Sequence, residues 1–196
     1  MTEKEIKFIE FSILGKLSSK ELICKEYSID KINCTIESFF IEKEQINIDD
    51  FNLWTEKHQD HINRIRNLVN DDRRKGFGNR YKFLEWYISQ EKSCCYCGVK
   101  EQNLKEYFTP SNQQYKDARQ RGKYLEIERI VTAPKEKNIY SEHNCSLSCY
   151  VCNNAKSDFI SPKDFKFIAK GINKFWNEVL QNEVKFPEKS LIWSKQ

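Results

Sequence analysis

The apolar positions of this chain change their period near Asp49. From Ile6 to about Ile48 they alternate over short stretches, as in Ile6-Lys7-Phe8 and Thr35-Ile36-Glu37-Ser38-Phe39-Phe40-Ile41, which are rich in β-branched and aromatic residues. This alternation predicts three or four short strands, although Ser19-Lys20-Glu21-Leu22 equally fits a helix cap. Beyond Asp49 or Asp50, either of which suits an N-cap, Phe51, Trp54, His58, His61, Ile65 and Leu68 recur at helical spacing and predict a helix with one buried face. The basic run Arg73-Arg74-Lys75 and the glycines Gly76 and Gly78 suit its end. A second helix is predicted from about Asn79 to Gln90, with Tyr81, Leu84, Tyr87 and Ile88 on one side.

The second half reads differently. Lys100 to Lys123 is polar and predicts a loop with a short helix. Leu125 to Val131 alternates as a strand does, and Pro134 ends it. Lys135 to His143 reads as loop, and Ser146-Leu147-Ser148 is too short to assign. The stretch from Asn153 to Asp158 is expected to start a helix. Ser161-Pro162-Lys163-Asp164 resembles a capping box with Pro at the first helical position, opening an amphipathic helix through Phe165, Ile168, Ile172, Trp176 and Leu180. The fold class expected is α+β, with an accessory region at 1–75 (short strands, then a helix) and a second module at 76–196.

Composition narrows the class. The 196 residues suit one domain or one with an appendage, and 39% hydrophobic residues allow a modest core carried largely by 13 Phe, 9 Tyr and 4 Trp. No apolar run is long enough to span a bilayer and the start does not resemble a signal peptide, so a cytoplasmic location with reduced thiols is expected, and no membrane partner. The net charge of +4 is a weak pointer to a polyanion. Eight cysteines in a reducing compartment favour metal over disulfides.

Those cysteines are patterned. Cys94-Cys95-Tyr96-Cys97-Gly98 is answered, far along the chain, by Cys149-Tyr150-Val151-Cys152. Two Cys-x-x-Cys hooks supply the four thiolates of a tetrahedral structural zinc site at Cys94, Cys97, Cys149 and Cys152, with a compact module folded between them. The alternative is packing of the four as small apolar side chains. Cys95 and Cys145 break the spacing and rank behind as ligands. His58 and His61 with Cys24 and Cys34 form a second conceivable metal set, but these histidines fall on the apolar stripe of the predicted helix, where buried, hydrogen-bonded imidazoles explain them better.

Cys-x-x-Cys-Gly, a strand ending in Glu128-Arg129, and Asn144-Cys145-Ser146-Leu147-Ser148-Cys149-Tyr150-Val151-Cys152-Asn153-Asn154-Ala155-Lys156 together resemble the HNH (ββα-metal) endonucleases. The likeness is to the phage and bacterial branch that writes Asp-Arg for Asp-His, and covers roughly Trp86 to Phe165. It implies a zinc-stapled ββα-metal module that hydrolyses DNA phosphodiester bonds in restriction, phage defence or mobile DNA. It further implies that Glu128 and Asn153 hold a catalytic Mg²⁺ or Mn²⁺, oxygen donors suiting a hard cation. By the same likeness, Asn144 fixes the loop between the strands. Lys156, one turn beyond Asn153, would meet a phosphate or else be a solvated helix residue.

Two residues depart from the family pattern. Glu128 replaces Asp, retaining a carboxylate. Arg129 stands where most members have the catalytic His; it cannot act as a base, but can clamp a phosphate in bidentate fashion, or pair with Glu126 or Glu128. His143 is then the candidate general base, the alternative being activation of water by the metal alone. Lys116, Arg119, Arg121 and Lys123, with Arg73, Arg74, Lys75 and Arg80, are candidate phosphate contacts, each cluster also fitting a solvated mixed-charge face. The partners implied are DNA, with RNA as the other polyanion, and a second copy of the chain or a defence-system protein. A reading from another class keeps the fold and zinc but not catalysis, leaving a module that binds nucleic acid or protein.

Overall fold

In the computed structural model, which describes residues 2–14, 45–108 and 121–195, the chain divides into two compact units, Met1–Ile88 and Ser89–Gln196.

The first unit is helical where described: α1 (Glu3–Leu14), α2 (Ile48–Val69) and α3 (Arg80–Ser89). The strand expected at Ile6-Lys7-Phe8 is a helix. A capping box at its start decides this: the Thr2 hydroxyl accepts from the Glu5 backbone N–H at 3.2 Å, and the Glu5 carboxylate accepts from the Thr2 N–H at 2.7 Å. The apolar residues then form a helical face rather than an alternation. Phe8 packs edge-on against Phe51 at 5.6 Å and beside Trp54 at 5.5 Å, and Phe11 meets Phe51 at 4.6 Å. The strand expected around Thr35–Ile41, the cap at Ser19, and Cys24 and Cys34 lie outside the described residues.

The expected helix after residue 48 is α2. Its N-cap is Asn47, whose side chain accepts from the Asp50 N–H at 3.0 Å; Asp49 and Asp50 sit instead in the first turn, where their charge suits the helix dipole. The buried face is Ile62, Ile65 and Val69. His58 lies at a kink, stacks on Trp54 at 4.6 Å and places Nδ1 2.7 Å from the Trp54 carbonyl. The helix stops at Val69, before the basic run, which occupies a 3₁₀ turn at Asp72–Phe77. Phe77, Phe83 and Trp86 then pack with centroids 4.9–5.8 Å apart.

The second unit holds α4 (Glu101–Tyr107), β1 (Glu126–Arg129), β2 (Cys145–Ser148), α5 (Tyr150–Lys156) and α6 (Pro162–Leu180). This mixture of helices with one two-stranded antiparallel sheet is an α+β arrangement. β1 runs against β2 with Glu126 opposite Ser148, Ile127 opposite Leu147, Glu128 opposite Ser146 and Arg129 opposite Cys145. Pairing with β1 is what makes the short Cys145–Ser148 segment a strand. α5 begins at Tyr150, before the expected Asn153, because the Cys149 sulfur caps it by accepting from the Cys152 N–H.

α6 starts as expected: the Ser161 hydroxyl accepts from the Asp164 N–H at 3.2 Å and donates to its carboxylate at 2.7 Å, with Pro162 next. Its buried stripe is Pro162, Phe165, Ala169 and Trp176, whereas the expected Ile168 is 43% exposed. Small Ala169 lets the helix lie close, and the two large rings flanking it set the rotation. Phe165 packs on Tyr96 at 5.0 Å and Trp176 on Tyr107 at 5.3 Å. No described helix is long and apolar enough to cross a membrane.

Candidate functional site: a four-cysteine centre beside a charged cleft

The first hook is a tight turn. The Cys94 N–H donates to the Val99 carbonyl at 2.8 Å and the Gly98 N–H to the Cys94 carbonyl at 2.9 Å. Gly98 has φ +80°, and a Cβ there would stand 2.0 Å from the Lys185 carbonyl oxygen, so no other residue fits the turn. Asn173 on α6 fastens the hook by donating to the Cys97 carbonyl at 2.8 Å. The second hook is the start of α5. All four thiols are buried and their sulfur atoms lie within 4.8 Å of one another.

That geometry suits a metal. Zn–S bonds of about 2.3 Å place tetrahedral sulfurs about 3.8 Å apart, and Cys97 and Cys149 stand at 3.7 Å, far beyond disulfide length. Burial opposes charge on Cys94, yet hydrogen bonds from Cys149, Cys152 and Cys97 bring its thiol well below the usual range. Burial raises Cys97, and the neighbouring sulfurs raise Cys152. Four buried sulfurs this close together are a donor set that a shared cation would stabilise. These four residues can hold a metal such as zinc. Cys95 and Cys145 stand outside the cluster.

Next to the second hook, β1, the following loop and α5 form a cleft of about 250 Å³ lined by Glu128, Arg129, Tyr140, Asn153 and Asp158 among others. A larger cavity of about 700 Å³, bordered by Cys95, Lys185 and Phe186, contains none of these residues and lacks their concentration of charge.

Asn144 hydrogen-bonds into the loop between the strands through both ends of its amide. Buried at 8% exposure, its Oδ1 accepts from the Val131 N–H at 2.9 Å, and its Nδ2 donates to the Val131 and Lys137 carbonyls at 2.9 Å and that of Ile139 at 3.0 Å. One side chain therefore pins the loop between the strands at three residues.

Period-two alternation sends Glu126 and Glu128 to the same face of β1, and α5 covers that face. Glu128 is 4% exposed. Its Oε1 meets the Lys156 ammonium at 3.0 Å and accepts from the Tyr96 hydroxyl at 3.2 Å. Burial raises the Glu128 carboxyl to about 6, against the pull of Lys156, Tyr96 and Arg129. Burial likewise holds the Tyr96 phenol protonated, as a donor. Lys156 is fully buried and also donates to the carbonyls of Arg129 at 3.2 Å and Ser157 at 3.3 Å. This corrects its expected role as either a phosphate contact or a solvated residue: the aliphatic stem of Lys156 is enclosed and its charge is spent inside the protein.

Arg129 stacks its guanidinium on Tyr140 at 4.7 Å and pairs with Asp158 at 3.3 Å, rather than with Glu126 or Glu128. Asn153 lines the cleft and donates from Nδ2 to Glu126 Oε2 at 2.6 Å. Arg121 grips Glu126 through Nε at 3.0 Å and Nη2 at 2.8 and 2.9 Å, and lies over the Tyr150 ring at 4.6 Å. It is therefore engaged internally.

The remaining expectations separate. His143 is 89% exposed beside Glu142 and does not line the cleft, so the structure does not bring a histidine to Glu128 or Asn153. Lys123 is exposed beside Tyr124. Lys116 and Arg119 lie outside the described residues, and Arg73 is held by Asp71 at 2.7 Å in the first unit. Sequence reasoning missed Glu126, Tyr96 and Asp158. Strand alternation alone pairs Glu126 with Glu128; nothing in the sequence marks Tyr96 or Asp158.

Comparison with known proteins adds no relative: no family model, curated protein or solved structure matches the chain.

Proposed function

We propose that the second unit is a metal-dependent endonuclease of the HNH type that hydrolyses phosphodiester bonds of DNA. The observation that carries this reading is the cleft in which Glu128, Arg129 and Asn153 meet, on a strand pair whose loop is pinned by Asn144. Glu128 and Asn153 offer a carboxylate and an amide oxygen, donors that suit Mg²⁺ or Mn²⁺. Bound there, the cation would polarise a phosphate oxygen and lower the pKa of a water. Tyr96 and Lys156 both approach Oε1 of Glu128, and so hold the carboxylate in one orientation. Arg129, its plane fixed by Tyr140, offers N–H donors to a phosphate, for which Asp158 is the internal substitute. With His143 exposed outside the cleft lining and Arg129 unable to take a proton, activation of the water falls to the metal in this reading.

A second reading is favoured by the Lys156–Glu128 pair. An ammonium already neutralises the carboxylate, so the cleft is electrically complete without a divalent ion, as in a module that binds nucleic acid or a protein partner without cutting. Nicking of supercoiled plasmid in Mg²⁺ or Mn²⁺ tests the two. The nuclease reading expects cleavage by the wild type and loss of it in Glu128→Ala and Asn153→Ala at unchanged zinc content. Cleavage that persists in both variants, or its absence on DNA and RNA alike, overturns it.

A further inference from the structure

We propose that Glu126, held by Arg121, is a positioning residue that turns the Asn153 amide so that its oxygen faces the cleft. This rests on the reading of Glu128 and Asn153 as the seat of a divalent cation. An amide has a donor end and an acceptor end, and only the oxygen ligates a hard cation. Which end faces inward must therefore be set by something, or half of the orientations are unproductive.

The chemistry of the neighbour sets it. An ionised carboxylate only accepts hydrogen bonds, so the atom of Asn153 lying 2.6 Å from Glu126 Oε2 must be the NH₂ nitrogen. Asn153 lines the cleft and Glu126 does not. The nitrogen end thus points out of the cleft and leaves the oxygen for it.

Glu126 is itself immobilised. Arg121 contacts both of its oxygens, and the Tyr150 ring beneath fixes the guanidinium. Glu128 is oriented in parallel by Tyr96 and Lys156 on its Oε1. Two side chains of one strand face are thereby each aimed by a separate network, Glu126 acting indirectly and Glu128 directly. Partners of this kind typically change metal affinity by about 10–100-fold when removed.

The test is Mn²⁺ binding by the zinc-loaded full chain, read from the free-ion signal in electron paramagnetic resonance. Glu126→Ala is expected to weaken Mn²⁺ binding about ten-fold or more at unchanged zinc stoichiometry. Asn153→Asp added to Glu126→Ala should restore it, because a carboxylate presents an oxygen whichever way it turns. Should Glu126→Ala fail to fold, Arg121→Met, which frees Glu126 without removing it, is expected to show a smaller loss that Asn153→Asp again repairs. Unchanged affinity in Glu126→Ala, or no repair by Asn153→Asp, overturns the orienting role. Glu128→Ala separates this from the underlying reading: if it abolishes binding while Glu126→Ala does not, only the orienting role falls. If Glu128→Ala leaves Mn²⁺ binding intact, the cation seat is misassigned and the orienting role falls with it.

Discussion

The cysteine centre and the charged cleft share α5, yet they bury polar groups by opposite means. At the centre, four buried donors of one kind converge, a set that suits a metal. The charges that line the cleft have partners of opposite sign from the chain itself, Glu128 with Lys156 and Arg129 with Asp158, and beside it Glu126 pairs with Arg121. A metal held at the centre would be part of the folding free energy, whereas the ion pairs of the cleft come from the chain itself. On this reading a metal at the first region would support the fold, and the proposed chemistry belongs to the second.

The largest effect expected follows from that asymmetry. Cys149→Ser removes a donor from the centre and the cap of α5. Structural zinc contributes about 10–16 kcal/mol in small zinc-folded domains, so this variant should lose its metal and the cooperative unfolding of the second unit, as should wild type treated with a strong zinc chelator. Removal of Mg²⁺ and Mn²⁺ alone should shift the unfolding curve only slightly, by the linkage of a weakly held ion. Metal analysis with thermal denaturation checks both, and a metal-free chain with an unaltered melting profile would break the contrast.

Next in size is the buried ion pair. Lys156→Met leaves Glu128 enclosed without its cation and is expected to cost about 3–5 kcal/mol in denaturant unfolding. Adding Glu128→Gln should recover much of this, since the penalty is an uncompensated buried charge and not the loss of an attraction. Equal destabilisation in the single and double variants would show that Lys156 acts through packing alone.

The same contrast explains what the sequence made legible. Hook spacing is a local property, and the two Cys-x-x-Cys pairs report their ligands without any knowledge of the fold. The capping box at Ser161 is likewise read from neighbours in the chain, while Asn144 is singled out only by the likeness to the HNH motif. The cleft is assembled from residues distant in sequence, so Tyr96 on Glu128 and Asp158 on Arg129 carry no signal. Lys156 was misjudged because lysine is ordinarily exposed, and only a carboxylate brought in by another element can enclose it. At α1 the conflict is local: the alternation of Ile6-Lys7-Phe8 is overridden by the Thr2–Glu5 capping box just before it.

The pH dependence sharpens the comparison further. The Glu128 carboxyl is raised from 4.5 to about 6 by burial, so the folded protein binds its proton more tightly than the unfolded chain does. Its contribution to stability is complete below the unfolded value and is lost as pH rises through about 6, a change of about 2 kcal/mol. Release of metal from protonated thiols runs the other way, destabilising the centre as pH falls. The difference between wild type and Glu128→Gln isolates the cleft, because the cysteine term is common to both. That difference should slope only between about pH 4.5 and 6; a flat difference would mean Glu128 titrates alike in both states.

The smallest effect on stability should fall on Asp158. Its carboxylate is 63% exposed and meets Arg129 at 3.3 Å, a contact worth at most about 1 kcal/mol and less in salt. Asp158→Asn should therefore leave the melting temperature nearly unchanged. It should nevertheless tighten binding of a short DNA duplex severalfold, measured without divalent cation so that no cleavage intervenes, since the anion competing for Arg129 has been removed. Loss of a negative charge anywhere would favour DNA to some degree, so the informative comparison is with Glu178→Gln, an exposed position on α6. If the gain belongs to the cleft, it exceeds that of Glu178→Gln and vanishes when Arg129→Gln is combined with Asp158→Asn. A gain that survives without Arg129 would assign it to overall charge, and would leave the cleft without the phosphate contact on which its difference from the cysteine centre depends.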